Sequence, residues 1–416
     1  MVALKKPSRW SGLAKPAICR QVNRSVTHVG YSMKPDMGIY YPLFDSIAAK
    51  PASLSFLSEQ WADVDAWRVS GRAKALELLA FKMPYVPLSP KIESRLEEDD
   101  VVVEEISYEM PYGPRTHGFF LYPKERPKKI PALVALHDHG EFFFYGKEKI
   151  TNVPGELGIL QEYKRHYYGG RSWATELAKR GFAVLAVDVF LWGSRRIPLD
   201  SVNEVLQSRF EGVELGSEEY VRRYNEFWSG NECPLVVDSI LNSGASWPGI
   251  FAYEDRRSVD YLLTRSEVDT MRIGCGGLSM GGLRTIFLAG LDARIRAAFC
   301  VGFMTTMRGI LRNNVRYPPG HGLLMYVPQL YSHLDLPDVI GLHAPAPLMV
   351  QYNVDDELFT PEGQHDADRK IAEIYHKAGK ANDYVGRFHP GSHKFDITMQ
   401  TEAFDWLEKE LVDPAR

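Results

Sequence analysis

No apolar run in this 416-residue chain approaches the roughly 20 residues a membrane-spanning helix requires, so no membrane association is expected. The N-terminal stretch MVALKKPSRWSGLAKPAICRQ has positive charge but no continuous apolar segment of secretory type, so a cytoplasmic protein is expected. Cysteine is scarce. Cys19, Cys233, Cys275 and Cys300 show no Cys-x-x-Cys spacing and no paired histidines, which argues against structural zinc and against a disulfide framework. Cys275 and Cys300 lie in apolar runs and read as small buried hydrophobes. A surplus of one charge is also lacking: 49 Lys and Arg face 53 Asp and Glu. The basic residues are scattered among acids, so nucleic acid is not an expected partner. There is no internal repeat, heptad array or low-complexity tract.

What remains has the balance of a globular enzyme, 45% hydrophobic and 25% charged, and is long enough for one large α/β domain with additions. Residues 1–100 read as an N-terminal extension: an irregular, proline-rich arm and a helix over 59–81 (EQWADVDAWRVSGRAKALELLAF). Trp61, Trp67, Ala73, Leu76 and Leu79 form its apolar stripe, which needs a partner surface. The first fifty residues hold Trp10, Tyr31, Tyr40, Tyr41 and Phe44. The arm is expected at a homo-oligomer interface or beside the active-site pocket.

Residues 101–416 read as the catalytic domain. VVVEEISYEM and RTHGFFLYP predict two strands joined by a Pro-Tyr-Gly-Pro turn. Beyond them ALVALH, AVLAVDVF, MRIGCGGLS, RAAFCVGF, PLMVQYN and DYVGRF alternate with helical segments. Continuous apolar strands alternating with helices imply an α/β fold with a mostly parallel sheet flanked by helices. Two connections, 197–250 and 304–343, are longer than ordinary loops and read as lid-like insertions.

The chemistry is concentrated in Gly277-Leu278-Ser279-Met280-Gly281, between a buried strand and an apolar helix. A sharp strand-to-helix turn lifts a serine hydroxyl above the sheet, and small flanking residues let the backbone double back. The N-terminus of the following helix faces the developing oxyanion. Serine is a weak nucleophile at neutral pH and needs an adjacent base. In this strand-turn-helix setting the order is serine, acid, histidine. Asp356, with Asp355 as the alternative, follows the strand PLMVQYN; His393, with His389 as the alternative, follows the next strand in a glycine-containing loop. His389 lies close to its strand, which favours His393.

Two backbone N–H groups are needed for the oxyanion. Met280 offers one, and Glu141, with Gly140 second, is the candidate in the loop LHDHGEFFFYG. Phe142, Phe143, Tyr145 and Trp192 are candidate pocket residues, with plain packing as the alternative for the aromatic run. His137, Asp138 and His139 are adjacent in a strand-end segment, where neighbours point to opposite faces; metal is not expected, and no cofactor is needed.

The segments LVALHDHGEFFFYGKEK, AVDVFLWGSRR, EDRRSVDYLLTR, IGCGGLSMGGLRT, VGFMTT, APAPLMVQYNVDDELFTPEG and PGSHKFDITMQTEAFDWL together resemble the dienelactone-hydrolase-like and acetyl-xylan-esterase-like branch of the α/β-hydrolases. The resemblance spans about 101–411. It implies the α/β-hydrolase fold, Ser279, Asp356 and His393 as triad, and Met280 as an oxyanion donor. Dienelactone hydrolase itself uses a cysteine where this chain has Ser279, so lactone specificity does not carry over. Glu141 stands where acetyl-xylan esterases tend to have a small polar residue or tyrosine.

The expected activity is hydrolysis of a small or medium carboxylic ester through an acyl-enzyme. Amide, peptide or C–C bond cleavage by the same triad is the alternative. A non-enzymatic binding protein is disfavoured, because the elbow and all three triad positions are intact.

Overall fold

Uninterrupted apolar runs make strands that are covered on both faces, and the computed structural model, which describes residues 38–229, 233–312 and 323–412, places them at the centre of one sheet. Its strands are β1 (Lys91–Glu98), β2 (Val101–Tyr108), β3 (Thr116–Pro123), β4 (Ile130–Leu136), β5 (Ala183–Val187), β6 (Val268–Leu278), β7 (Ile295–Val301), β8 (Leu348–Asn353) and β9 (Tyr384–His389). They lie in the order β1-β2-β3-β5-β4-β6-β7-β8-β9. The pairs from β1 to β3 and β3 with β5 are antiparallel; from β5 to β9 every pair is parallel. Every residue of β4, β5 and β8 is buried.

Chain order reverses around β4, which has β5 on one side and β6 on the other. At such a switch point the loops beyond the carboxyl ends diverge and leave a crevice. The register brings the ends level: Leu136 pairs with Gly277, Leu278 with Val301, and Val301 with Gln351. The residues that follow β4, β6, β7 and β8 therefore share one rim.

The sheet begins earlier than the sequence suggests. Residues 91–98, assigned above to the extension, form β1 and pair along β2, so the boundary at residue 101 cuts through a hairpin. The expected helix is present as Val64–Leu78, capped by the Asp63 carboxylate on the N–H groups of Asp65 and Ala66. Its buried line is Trp67, Gly71, Ala75 and Leu79, four residues apart, while Ala73 faces solvent. Gly71 allows this by close approach, since a Cβ there would come within 2.5 Å of Leu342. Arg72 fastens the helix by donating to Gly290 O (2.8 Å) and Leu342 O (3.1 Å). This part of the extension is thus integral to the α/β domain. Residues 1–37, including Cys19 and the arm's Trp10 and Tyr31, lie outside the described residues.

The first insertion folds into helices that include Glu218–Phe227 and Cys233–Asn242; it ends at the helix Trp247–Leu262, which starts earlier than the sequence pattern indicates. The second contains Met307–Arg312, Leu330–His333 and Leu336–Gly341. No helix among the described residues is long and apolar enough to cross a membrane.

Candidate active site

Ser279 follows β6 directly and caps the helix Met280–Leu291 with φ 58° and ψ −122°, a conformation that L residues rarely adopt. Strain of this kind costs about 1–3 kcal/mol and persists only when the surroundings impose it. Those surroundings are visible. The Ser279 N–H donates to Val301 O at the end of β7 (2.9 Å), and Ser279 O accepts from Leu283 N in the helix (2.9 Å). A Cβ on Gly277 or on Gly281 would come within 2.1 Å of Leu136 O, so both flanking positions require glycine for the turn to lie against β4.

Asp356 is buried in the loop after β8. Its Oδ1 accepts from Leu358 N (3.0 Å), and its Oδ2 is 2.6 Å from His393 Nδ1. With a carboxylate on Nδ1 the ring carries its proton there, and Nε2 is left as the basic nitrogen. Nε2 is buried and has no hydrogen-bond partner among the described residues. The ring lies over Gly302, the residue after the one that holds Ser279 N–H: a Cβ on Gly302 would be 3.1 Å from His393 Cε1. Ser279 and the His393–Asp356 pair therefore lie at the same rim, beyond β6, β7 and β8.

The two alternatives have partners of their own. Asp355 is exposed, yet its carboxylate accepts from Gly391 N (2.9 Å) and its own N–H donates to Gly391 O (3.1 Å), clamping the histidine loop. His389 Nε2 pairs with Glu402 (3.0 Å) in the C-terminal helix Ile397–Leu411. Both are structural ties rather than freely solvated residues.

Gly302→Ala separates site geometry from backbone cost. Its φ of +60° and the contact with His393 predict about a tenfold fall in kcat, together with about 1 kcal/mol of destabilisation. Gly379→Ala, with φ +72° and open space around it, should show the stability loss alone. Paired kcat measurements and denaturant titrations check this.

The oxyanion loop follows β4. Met280 is the first residue of its helix, where N–H groups have no intrahelical acceptor, and its side chain is buried. Glu141 has φ 52° and its N–H donates to His139 Nδ1 (3.0 Å), so in this structure the expected second donor is engaged by its own loop. Burial raises the Glu141 carboxyl above the usual range. His137 is held neutral by burial and by the nearby Lys149 and Arg284 cations, and its Nδ1 donates to Asp138 O (3.0 Å). The Asp138 carboxylate instead accepts from the hydroxyls of Tyr163 and Tyr168. The two side chains serve different partners, and no metal-holding group of three appears among the described residues.

Of the four candidate pocket residues, Phe142 lines a cavity. This space of about 340 Å³ is lined by Gly140, Glu141, Phe142, Tyr163, Tyr167 and Asn225, with Tyr167 beside the His393 ring (6.4 Å between centroids). Phe143 and Trp192 are buried in a stack, Phe143 on Trp192 at 4.8 Å and Trp192 on Trp247 at 5.8 Å, and serve as packing. Tyr145 packs edge-on against Phe142 and Phe144. The sequence reading missed Tyr163, Tyr167 and Asn225; the YKRHYYGG run in the helix Gly158–Tyr168 was the available signal for the tyrosines. A larger cavity, about 1120 Å³, lies elsewhere, against Phe44, Ile47, Met307, Met325 and Tyr331, and no triad residue lines it.

The sheet order and the strained serine turn give the chain an α/β-hydrolase fold, similar to that of the acetyl-xylan-esterase-like branch. More particularly, it is a homologue of the Bacillus subtilis (strain 168) protein named "Putative hydrolase YtaP", 25% identical over 344 residues that make up 83% of this chain and all of that one. No family model matches the chain. Among solved structures, a "putative acetyl xylan esterase" from Bacteroides fragilis superposes with a TM-score of 0.64 at 18% identity, covering 84% of this chain and 81% of that one. A glucuronoyl esterase from Solibacter usitatus gives 0.57 at 16% identity, covering 87% and 97%. The chain thus resembles esterases in fold.

Proposed function

We propose that the protein hydrolyses a carboxylic ester of a small or medium organic substrate through an acyl-enzyme on Ser279. The observation that carries this reading is the 2.6 Å His393–Asp356 bond, which leaves a buried, unpartnered Nε2 on a ring seated at the nucleophile turn. Ser279 Oγ attacks the ester carbonyl while His393 Nε2 takes its proton; the tetrahedral oxyanion is met by backbone N–H groups of the Met280 turn and the 139–141 loop. The C–O bond to the alcohol then breaks, and the alcohol leaves with the proton from Nε2. Water, deprotonated by the same nitrogen, attacks the acyl-enzyme and releases the acid. Asp356 holds the imidazole orientation and stabilises its cation. The fold likeness to esterases supports ester over amide cleavage.

The test is a fluorophosphonate probe followed by peptide mapping, together with turnover of aryl esters of varied acyl length and of the matching anilides. Modification at Ser279 and preferential ester turnover are expected. Labelling elsewhere, or faster anilide cleavage, would sink the proposal.

A further inference from the structure

Behind the oxyanion loop lies a cation that the triad chemistry does not use. Lys149 is fully buried. Its Nζ donates to Asp138 O and to His139 O (3.1 Å), and lies 3.6 Å from Asp138 Oδ2. The carbonyl before these, His137 O, accepts from Arg284 Nη1 (3.2 Å), and Arg284 is itself buried and paired with Asp255 at 2.6 Å. His139 O also accepts from Trp192 Nε1 (3.3 Å) and Phe142 N (3.2 Å). Three successive carbonyls of the loop thus face buried donors, two of them cationic. In a trans peptide the N–H points opposite to the C=O, so fixing these carbonyls fixes the direction of the N–H groups at 138, 139 and 140.

We infer that Lys149 is a positioning residue for the oxyanion: its buried ammonium holds the Asp138 and His139 carbonyls and so aims and polarises the N–H groups of His139 and Gly140, the latter the second oxyanion candidate. The inference rests on the ester-hydrolase reading above. A fully buried lysine is costly, and an apolar residue of similar volume would fill the space at lower cost if packing were the only need. Charge-assisted hydrogen bonds are about twice as strong as neutral ones, and they draw electron density from the peptides they hold. Asp138 is oriented from the other side by Tyr163 and Tyr168, and a Cβ on Gly140 would run into Tyr163 Oη and Asp138 Oδ2, so the loop backbone lies directly against this cluster.

Burial brings Lys149 down to about 8. The groups facing it are Asp138 and Asp188, which favour the ammonium, and Arg284, which opposes it. Around them stand Tyr163 and Tyr168, both pushed well above the usual range, and the neutral His137. The ammonium is present below about pH 8 and is lost above it. Wild-type kcat should therefore fall on the alkaline side.

The experiment uses the full chain and p-nitrophenyl acetate, with active sites counted by exhaustive fluorophosphonate labelling. Lys149→Met should lower kcat per active site by about 10²-fold, the scale of one lost oxyanion donor, with KM within about threefold of wild type. Lys149→Arg, which keeps its charge at every pH used, should recover much of kcat and lose the alkaline limb. A wild-type kcat that stays flat to about pH 10 overturns the inference without any variant. So does a Lys149→Met enzyme with unchanged kcat per labelled site, or an alkaline limb that persists in Lys149→Arg. Wild-type protein that neither labels at Ser279 nor turns over the ester overturns the hydrolase reading itself, and this inference with it.

Discussion

Ser279→Ala is expected to lower kcat by about 10⁴–10⁶, the usual scale for loss of the nucleophile in a serine triad. The methyl group keeps the Cβ, so the turn, the Val301 hydrogen bond and the glycine contacts with β4 are unaffected. The variant should therefore show an unchanged circular dichroism spectrum and no fluorophosphonate labelling. Steady-state rates, with contaminating esterase removed by preincubation of a control preparation, check the first part. Substantial residual turnover by a folded Ser279→Ala protein would place the nucleophile elsewhere.

Asp356→Asn carries the next largest expected effect, about 10⁴ in kcat, because an amide in this position can hold the imidazole in the wrong tautomer. Asp356 Oδ2 faces His393 Nδ1 at 2.6 Å and is buried, so no water can easily replace it. Asp355→Asn forms the contrast. Asp355 accepts from Gly391 N, and an asparagine carbonyl can accept the same hydrogen bond, so the histidine loop should stay in place with only a small loss of rate. The ranking is read from kcat of the two variants, and its reversal would transfer the acid role to Asp355.

The elements with a sharp local signature were legible in the sequence. The Gly277–Gly281 turn is one, because its two glycines answer to a single obstacle, the Leu136 carbonyl. The buried strands and the order serine, acid, histidine are others. Features set by long-range contacts were not legible. The seat of His393 depends on Gly302, some ninety positions away in the chain, which reads only as an ordinary glycine after a strand. Lys149 looks like a solvated charge in YGKEK, and nothing local says that helix Gly158–Tyr168 and helix Met280–Leu291 enclose it. Phe143 and Trp192 have the chemistry of pocket residues and are used for packing, a choice made by Trp247 at the end of a long insertion. In the helix Val64–Leu78 the apolar residues allow two stripes, and close approach at Gly71 selects the one through Ala75.

β1 went unrecognised because every one of its eight residues is exposed, and its Lys, Glu and Arg side chains carry no apolar pattern. That same character has a use. A chain starting at Val101 would leave β2, with Val101, Val102, Val103 and Ile106, as the outermost strand, its backbone groups unpaired beside β-branched side chains. Such an edge is a template for another molecule's strand and promotes self-association into aggregates. β1 occupies that template, and Lys91, Glu93, Arg95, Glu97 and Glu98 then present a charged border to any approaching strand. Residues 91–98 cover that edge in the folded protein, and a fragment lacking them is expected to self-associate.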